Sequence, residues 1–124
     1  MDCSRIGDRM SDGTICAGLS PETGEPLHVA VSDAPLTLTF NEAVTYANGV
    51  ELHGHRDWRL PTLTELKHLF NNRAVIGGFE TAQGPKTYWS SSQNFTFETW
   101  CQSFGDGGCV LLPETASASL RLVR

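Results

Sequence analysis

The chain is short of positive charge. Across 124 residues, 14 Asp and Glu stand against 9 Lys and Arg, for a formal net charge of −5. That balance disfavours wholesale binding to the phosphates of nucleic acid. Long apolar runs are missing too. No stretch approaches a membrane span, and Met1 to Asp8 contains no apolar core of signal-peptide length. The expected location is the cytoplasm, unless the protein is exported without a conventional signal or assembled on a phage particle. The four cysteines (Cys3, Cys16, Cys101, Cys109) show no C-x-x-C spacing, so a structural zinc knuckle is not indicated. In a reducing compartment they are expected to be free, with Cys101 and Cys109 the only plausible bridge. Enzyme signatures are absent as well: no G-x-S-x-G elbow, no H-E-x-x-H and no Walker loop. Neither a catalytic residue nor a cofactor is expected.

What is present is a globular composition of one-domain length. Twelve Gly and six Pro imply many turns and short elements. The charge is uneven: residues 1–51 hold eight acids and two bases, residues 52–124 six acids and seven bases.

The chain is organised around His53-Gly54-His55-Arg56-Asp57-Trp58-Arg59-Leu60-Pro61-Thr62. Gly54 supplies a positive φ for a turn. Pro61 biases Leu60 towards extended backbone. Thr62 and Glu65 then form a capping box, and Leu63, Leu66, Leu69 and Phe70 follow at helical spacing. A second capping box, Thr39 with Glu42, opens an earlier helix whose stripe is Phe40, Ala43, Val44 and Ala47. These signals predict helices over 37–48 and 62–71.

Before them, residues 12–31 read as a hairpin turning at Ser20 to Gly24. After them, residues 73–87 read as an irregular connection. Thr87 to Ser91, Phe97 to Phe104, Cys109 to Leu112 and Leu120 to Val123 have strand composition. The prediction is an antiparallel sheet within 87–123 and burial of Trp58, Leu60, Leu66, Trp100 and Phe104. Of the neighbours Tyr88 and Trp89, one is expected to reach solvent. The whole is an α+β domain over residues 1–124, with two helices packed on a twisted antiparallel sheet. Residues 1–36 form its hairpin region and 37–124 its core.

Four pieces carry a family resemblance: Trp58-Arg59-Leu60-Pro61-Thr62 with Glu65-Leu66, Tyr88-Trp89-Ser90-Ser91-Ser92, Trp100 with Phe104-Gly105-Asp106-Gly107, and the closing Arg121-Leu122-Val123-Arg124. In order and spacing, over roughly residues 38–124, they resemble the Lcl C-terminal domain family, found at the end of bacterial collagen-like adhesins. The resemblance implies a C-type-lectin-like fold, shared distantly with formylglycine-generating enzymes and phage tropism determinants. It also implies glycan or surface-polymer binding, and trimeric assembly by analogy with the adhesins. Cys101, Cys109 and Leu122 depart from the family's pattern.

Each chemistry-bearing group has a plainer reading beside the functional one. Trp58, Trp89 and Trp100 could form a sugar platform, or fill the core. Arg59, Arg121 and Arg124 could hold an anion, or make structural contacts such as Arg59 with Asp57 or Glu65, or bonds to loop carbonyls. His53, His55 and Asp57 form an H-x-H-x-D run, but Gly54 argues for a turn and against a metal site. Asp106 lacks the partners of a calcium loop, so no metal is expected.

The leading functional reading is a non-enzymatic module that binds a glycan or a protein through surface loops. Its expected contact residues are Arg73, Tyr88, Gln93, Asn94, Phe95, Phe97 and Asp106, with Phe79, Phe95 and Phe97 alternatively fastening the loops to the core. A second reading keeps the fold and makes the protein an intracellular partner or inhibitor, phage- or mobile-element-encoded. A third, an oxidoreductase of the formylglycine-generating type, rests on fold analogy.

Overall fold

The computed structural model describes residues 5–34, 37–77, 79, 87–93, 98–104 and 107–124. Two strands, β1 (Ile15–Leu19) and β2 (Pro26–Val29), pair antiparallel as the N-terminal hairpin. Three helices follow: α1 (Phe40–Gly49), α2 (Leu63–Asn71) and the four-residue α3 (Arg73–Ile76). The chain then forms a three-stranded antiparallel sheet of β3 (Thr87–Gln93), β4 (Glu98–Ser103) and β5 (Cys109–Pro113), in that order. The architecture is α+β. The presence of α3 corrects the irregular reading of residues 73–76.

Both long helices begin where the sequence places their caps, so α1 starts at Phe40 behind Thr39 and not at 37 as the predicted span had it. Thr39 and Thr62 accept hydrogen bonds from the backbone N–H of Glu42 and Glu65, and each glutamate accepts the N–H of its cap residue in return. Two otherwise orphaned donors are thereby satisfied at each helix start.

The helices sit on opposite faces of the larger sheet. Phe40, Ala43 and Ala47 of α1 share a core cluster with Trp58, Leu60, Trp89 and Cys101. Leu66 and Leu69 of α2 share the other with Tyr88, Phe104 and residues of the hairpin. Successive strand residues point to opposite faces, so both Tyr88 and Trp89 are fully buried. The expected solvent access for one of them is overturned: at this point of β3 the sheet is covered on both sides. Trp58, Leu60, Leu66 and Phe104 are buried as anticipated. Trp100 is not. It is only half-buried and belongs to neither cluster, with Leu111 of β5 as its cross-strand partner.

The C-terminal segment is not a regular strand, contrary to its composition. Residues 118–124 bridge one position at a time to Leu38, Tyr88, Val29 and Arg59. Backbone bonds from Ala34 to Leu120 and from Ala30 to Leu122 add further stitches. A segment that pairs with so many neighbours satisfies its backbone groups without building a ladder with any one of them.

The thiols differ from expectation at Cys16 and meet it at Cys101 and Cys109. Cys16 is disulfide-bonded, while Cys101 and Cys109 are free. In the β4–β5 register Cys101 pairs with Val110 and Gln102 with Cys109. The two cysteines therefore lie on opposite faces of the sheet and cannot bridge.

Candidate functional site

The residues expected to form one contact surface are spread along β3. Arg73 sits at one end. Its guanidinium lies 3.9 Å from the Phe70 ring centroid and donates to the Phe70 carbonyl. Phe70 in turn packs edge-on against Phe104 and crowds Gly107, at whose position a Cβ would lie 2.7 Å from the ring. Gln93 marks the other end, where it pairs with Thr99 and donates to Glu114 at 2.6 Å. β3 itself, seven residues long, spans roughly 20 Å. Tyr88 lies within it but is fully buried, its hydroxyl donating to Asp33 at 2.5 Å. It offers no surface to a ligand. Asn94, Phe95, Phe97 and Asp106 lie outside the described residues. Phe79 is a fastener, packed on the rings of Tyr88 and Phe104.

The three arginines singled out in the sequence are struts. Arg59 holds Glu65 through two parallel hydrogen bonds. Arg124 holds Asp57 at 2.6 and 3.0 Å, and keeps that carboxyl below the usual carboxylate range. Arg121 is fully buried. It donates to the carbonyls of Ala30 and Gly77, approaches Asp33 at 3.5 Å, and lies over the Phe79 ring. Burial lowers its pKa, and the Asp33 carboxylate opposes that shift.

The histidines are partly engaged in the same way. His68 donates to the Ala17 carbonyl, tying α2 to the hairpin. His55 donates to Asp12 at 2.8 Å, which ties the turn to the N-terminal region. Hydrogen bonds from Thr14, supported by His55, hold Asp12 well below the ordinary range against the cost of its burial. Among the described residues, no group of three or more His, Cys, Asp or Glu is placed to hold a metal ion.

His53 is different. It and Gly54 have positive φ, 55° and 79°, and Leu52 and His55 exchange both backbone hydrogen bonds around them. That is a type I′ turn, which demands positive φ at both central positions. Trp58 anchors it by donating its indole N–H to the Leu52 carbonyl at 3.1 Å.

Beside this turn is a cavity of about 300 Å³. Leu52 and His53 form one wall, Tyr46 of α1 another, and the connector Ala30 to Ala34 with Leu122 the rest. A second cavity, about 370 Å³, lies between α1 and the Arg59 to Thr62 stretch, with Ser91 at its edge. Sequence reading misses both. Their walls come from segments that no motif links, and Ser32, Asp33 and Tyr46 carry no local signal.

A comparison with curated proteins finds no match. Residues 14–124 match the model of the Lcl C-terminal domain family. The match begins at Thr14 and so takes in both strands of the N-terminal hairpin as well as the motifs around Trp58, Tyr88 and Arg121. The chain belongs to the Lcl C-terminal domain family.

Proposed function

We propose that this chain is a non-enzymatic ligand-binding module of C-type-lectin-like fold, which meets a glycan or a protein at its surface. One observation carries the reading: charged side chains serve as braces between segments. Arg59, Arg121, Arg124 and His55 each fix one segment to another. A braced scaffold presents recognition groups with little ordering cost on binding. The family's association with adhesins points to the same class of activity, as analogy.

The disulfide at Cys16 supports work in an oxidising compartment. In this proposal that weighs against the cytoplasmic location and the intracellular-inhibitor reading. Trimeric assembly, if it follows the adhesins, would turn weak single sites into avid binding.

The test is an array of immobilised glycans probed in parallel with a pull-down from cell-surface extract. The expected result is saturable retention of one class. Retention of neither at micromolar protein would reject the module reading. Arg73→Ala and Gln93→Ala, assayed separately, report which end of β3 takes part. Both positions are exposed, so neither variant should move the melting temperature appreciably.

A further inference from the structure

We propose that the cavity between Tyr46, the Leu52–His53 turn and the Ala30–Ala34 connector is a site for a single uncharged sugar ring. The inference rests on the binding-module reading and names a ligand class and a place for it.

The size fits. About 300 Å³ lies at the small end of ligand pockets, enough for one ring and not for a chain. The lining is two-sided in character. Ala30, Ala34, Leu52 and Leu122 offer apolar contact, and Tyr46 adds an aromatic ring. The C–H face of a pyranose suits such a surface, because an aromatic face is the negative side of its quadrupole. Ser32, Tyr46 and His53 also line the cavity, and each can both donate and accept. Sugar hydroxyls need partners of that kind.

Charge decides between sugar classes. Asp33 lines the cavity, while the described lining residues include no Lys or Arg. The nearby Arg121 is fully buried and bonded to backbone carbonyls. Arg121 and the Tyr88 hydroxyl already engage the Asp33 carboxylate, so a sulfated or uronic sugar would meet that carboxylate with no Lys or Arg among the described lining residues to pair with it. A neutral ring meets no such conflict.

The wall is preorganised. His53 holds a left-handed backbone conformation that a non-glycine residue rarely adopts. The Trp58 and His55 bonds around the turn maintain it.

The experiment is ligand-observed saturation-transfer NMR on the full chain. The probes are the methyl glycosides of glucose, galactose, mannose and N-acetylglucosamine, with glucuronic acid, glucose 6-sulfate and p-cresol beside them. At least one neutral glycoside should bind, and the two anions should not. Ala34→Leu should weaken that binding at least tenfold by filling the cavity. If this variant does not fold, Tyr46→Ala decides, with the same loss expected. Binding of no neutral glycoside, preference for an anion, or binding of p-cresol alone would overturn the proposal. So would undiminished binding in a folded cavity variant. Array or pull-down binding that survives the cavity variants would leave the module reading standing while this site fails. Loss of all binding by the unmodified chain would remove both.

Discussion

Arg59 grips Glu65 with two parallel hydrogen bonds, Nη1 to Oε1 at 2.7 Å and Nη2 to Oε2 at 2.8 Å. The glutamate is fully buried, while the Arg59 side chain is 41% exposed. Glu65 also accepts from Ser20 Oγ at 2.5 Å and from the Thr62 N–H at 2.9 Å. One carboxylate thus ties the hairpin, the Trp58 stretch and the start of α2 together.

This relationship makes stability depend on pH in a defined direction. Burial alone would raise the Glu65 pKa, but the bonds from Arg59, Ser20 and Thr62 outweigh it and hold it at about 2, against an ordinary 4.5. A depressed carboxylate pKa contributes stability above the unfolded value and loses it as pH falls through the folded value. The contribution is complete above about pH 4.5 and is lost towards pH 2. Urea denaturation at intervals from pH 6 to pH 2 should show that decline. Glu65→Gln should flatten it and lower stability at pH 7 by about 3 kcal/mol, the low end for breaking a buried pair because Arg59 keeps water contact. An unchanged pH profile in the variant would mean other carboxylates dominate, with Asp12 and Asp57 next in line.

The cysteines should separate into three behaviours. A non-reducing peptide map should find Cys16 in a disulfide and Cys101 and Cys109 as thiols. Burial pushes the Cys101 thiol up to about 12, so it should resist maleimide until the protein unfolds. Cys109 is half-buried and donates to Gln102, and should react first. A Cys101–Cys109 peptide in the map would contradict the β4–β5 register.

The tryptophans provide a packing test. Trp58 is buried among Leu60, Leu122 and the helix α1 stripe and has its indole N–H satisfied. Trp58→Ala should cost about 3–5 kcal/mol. Trp100→Ala should cost clearly less, since Trp100 stands outside both core clusters. Equal losses in thermal denaturation would place Trp100 in the core after all.

Short-range features were legible in the sequence because their physics is local. A capping box needs only four residues, so Thr39–Glu42 and Thr62–Glu65 announced both helix starts. The turn at His53–Gly54 needs two positive φ angles, and Gly54 signalled one of them. The pairing of Arg59 with Glu65 spans six residues and was one of two that the sequence offered; the other candidate, Asp57, is taken by Arg124.

What the tertiary structure decided depends on segments far apart in the chain. Tyr88 and Trp89 are both buried because helices cover both faces of their sheet, and no alternation within β3 encodes that. Arg121 is buried because a carbonyl 91 residues away accepts its Nε–H. Residues 120–123 have strand composition, yet the bridges of the segment 118–123 are divided among four separate neighbours. The cavity beside His53 follows the same logic. Each of its walls is ordinary in sequence, and only the convergence of the connector, α1, the turn and the C-terminal segment leaves a space between them. Propensity acts on neighbours along the chain, whereas burial and cavities are set by which surfaces meet in space.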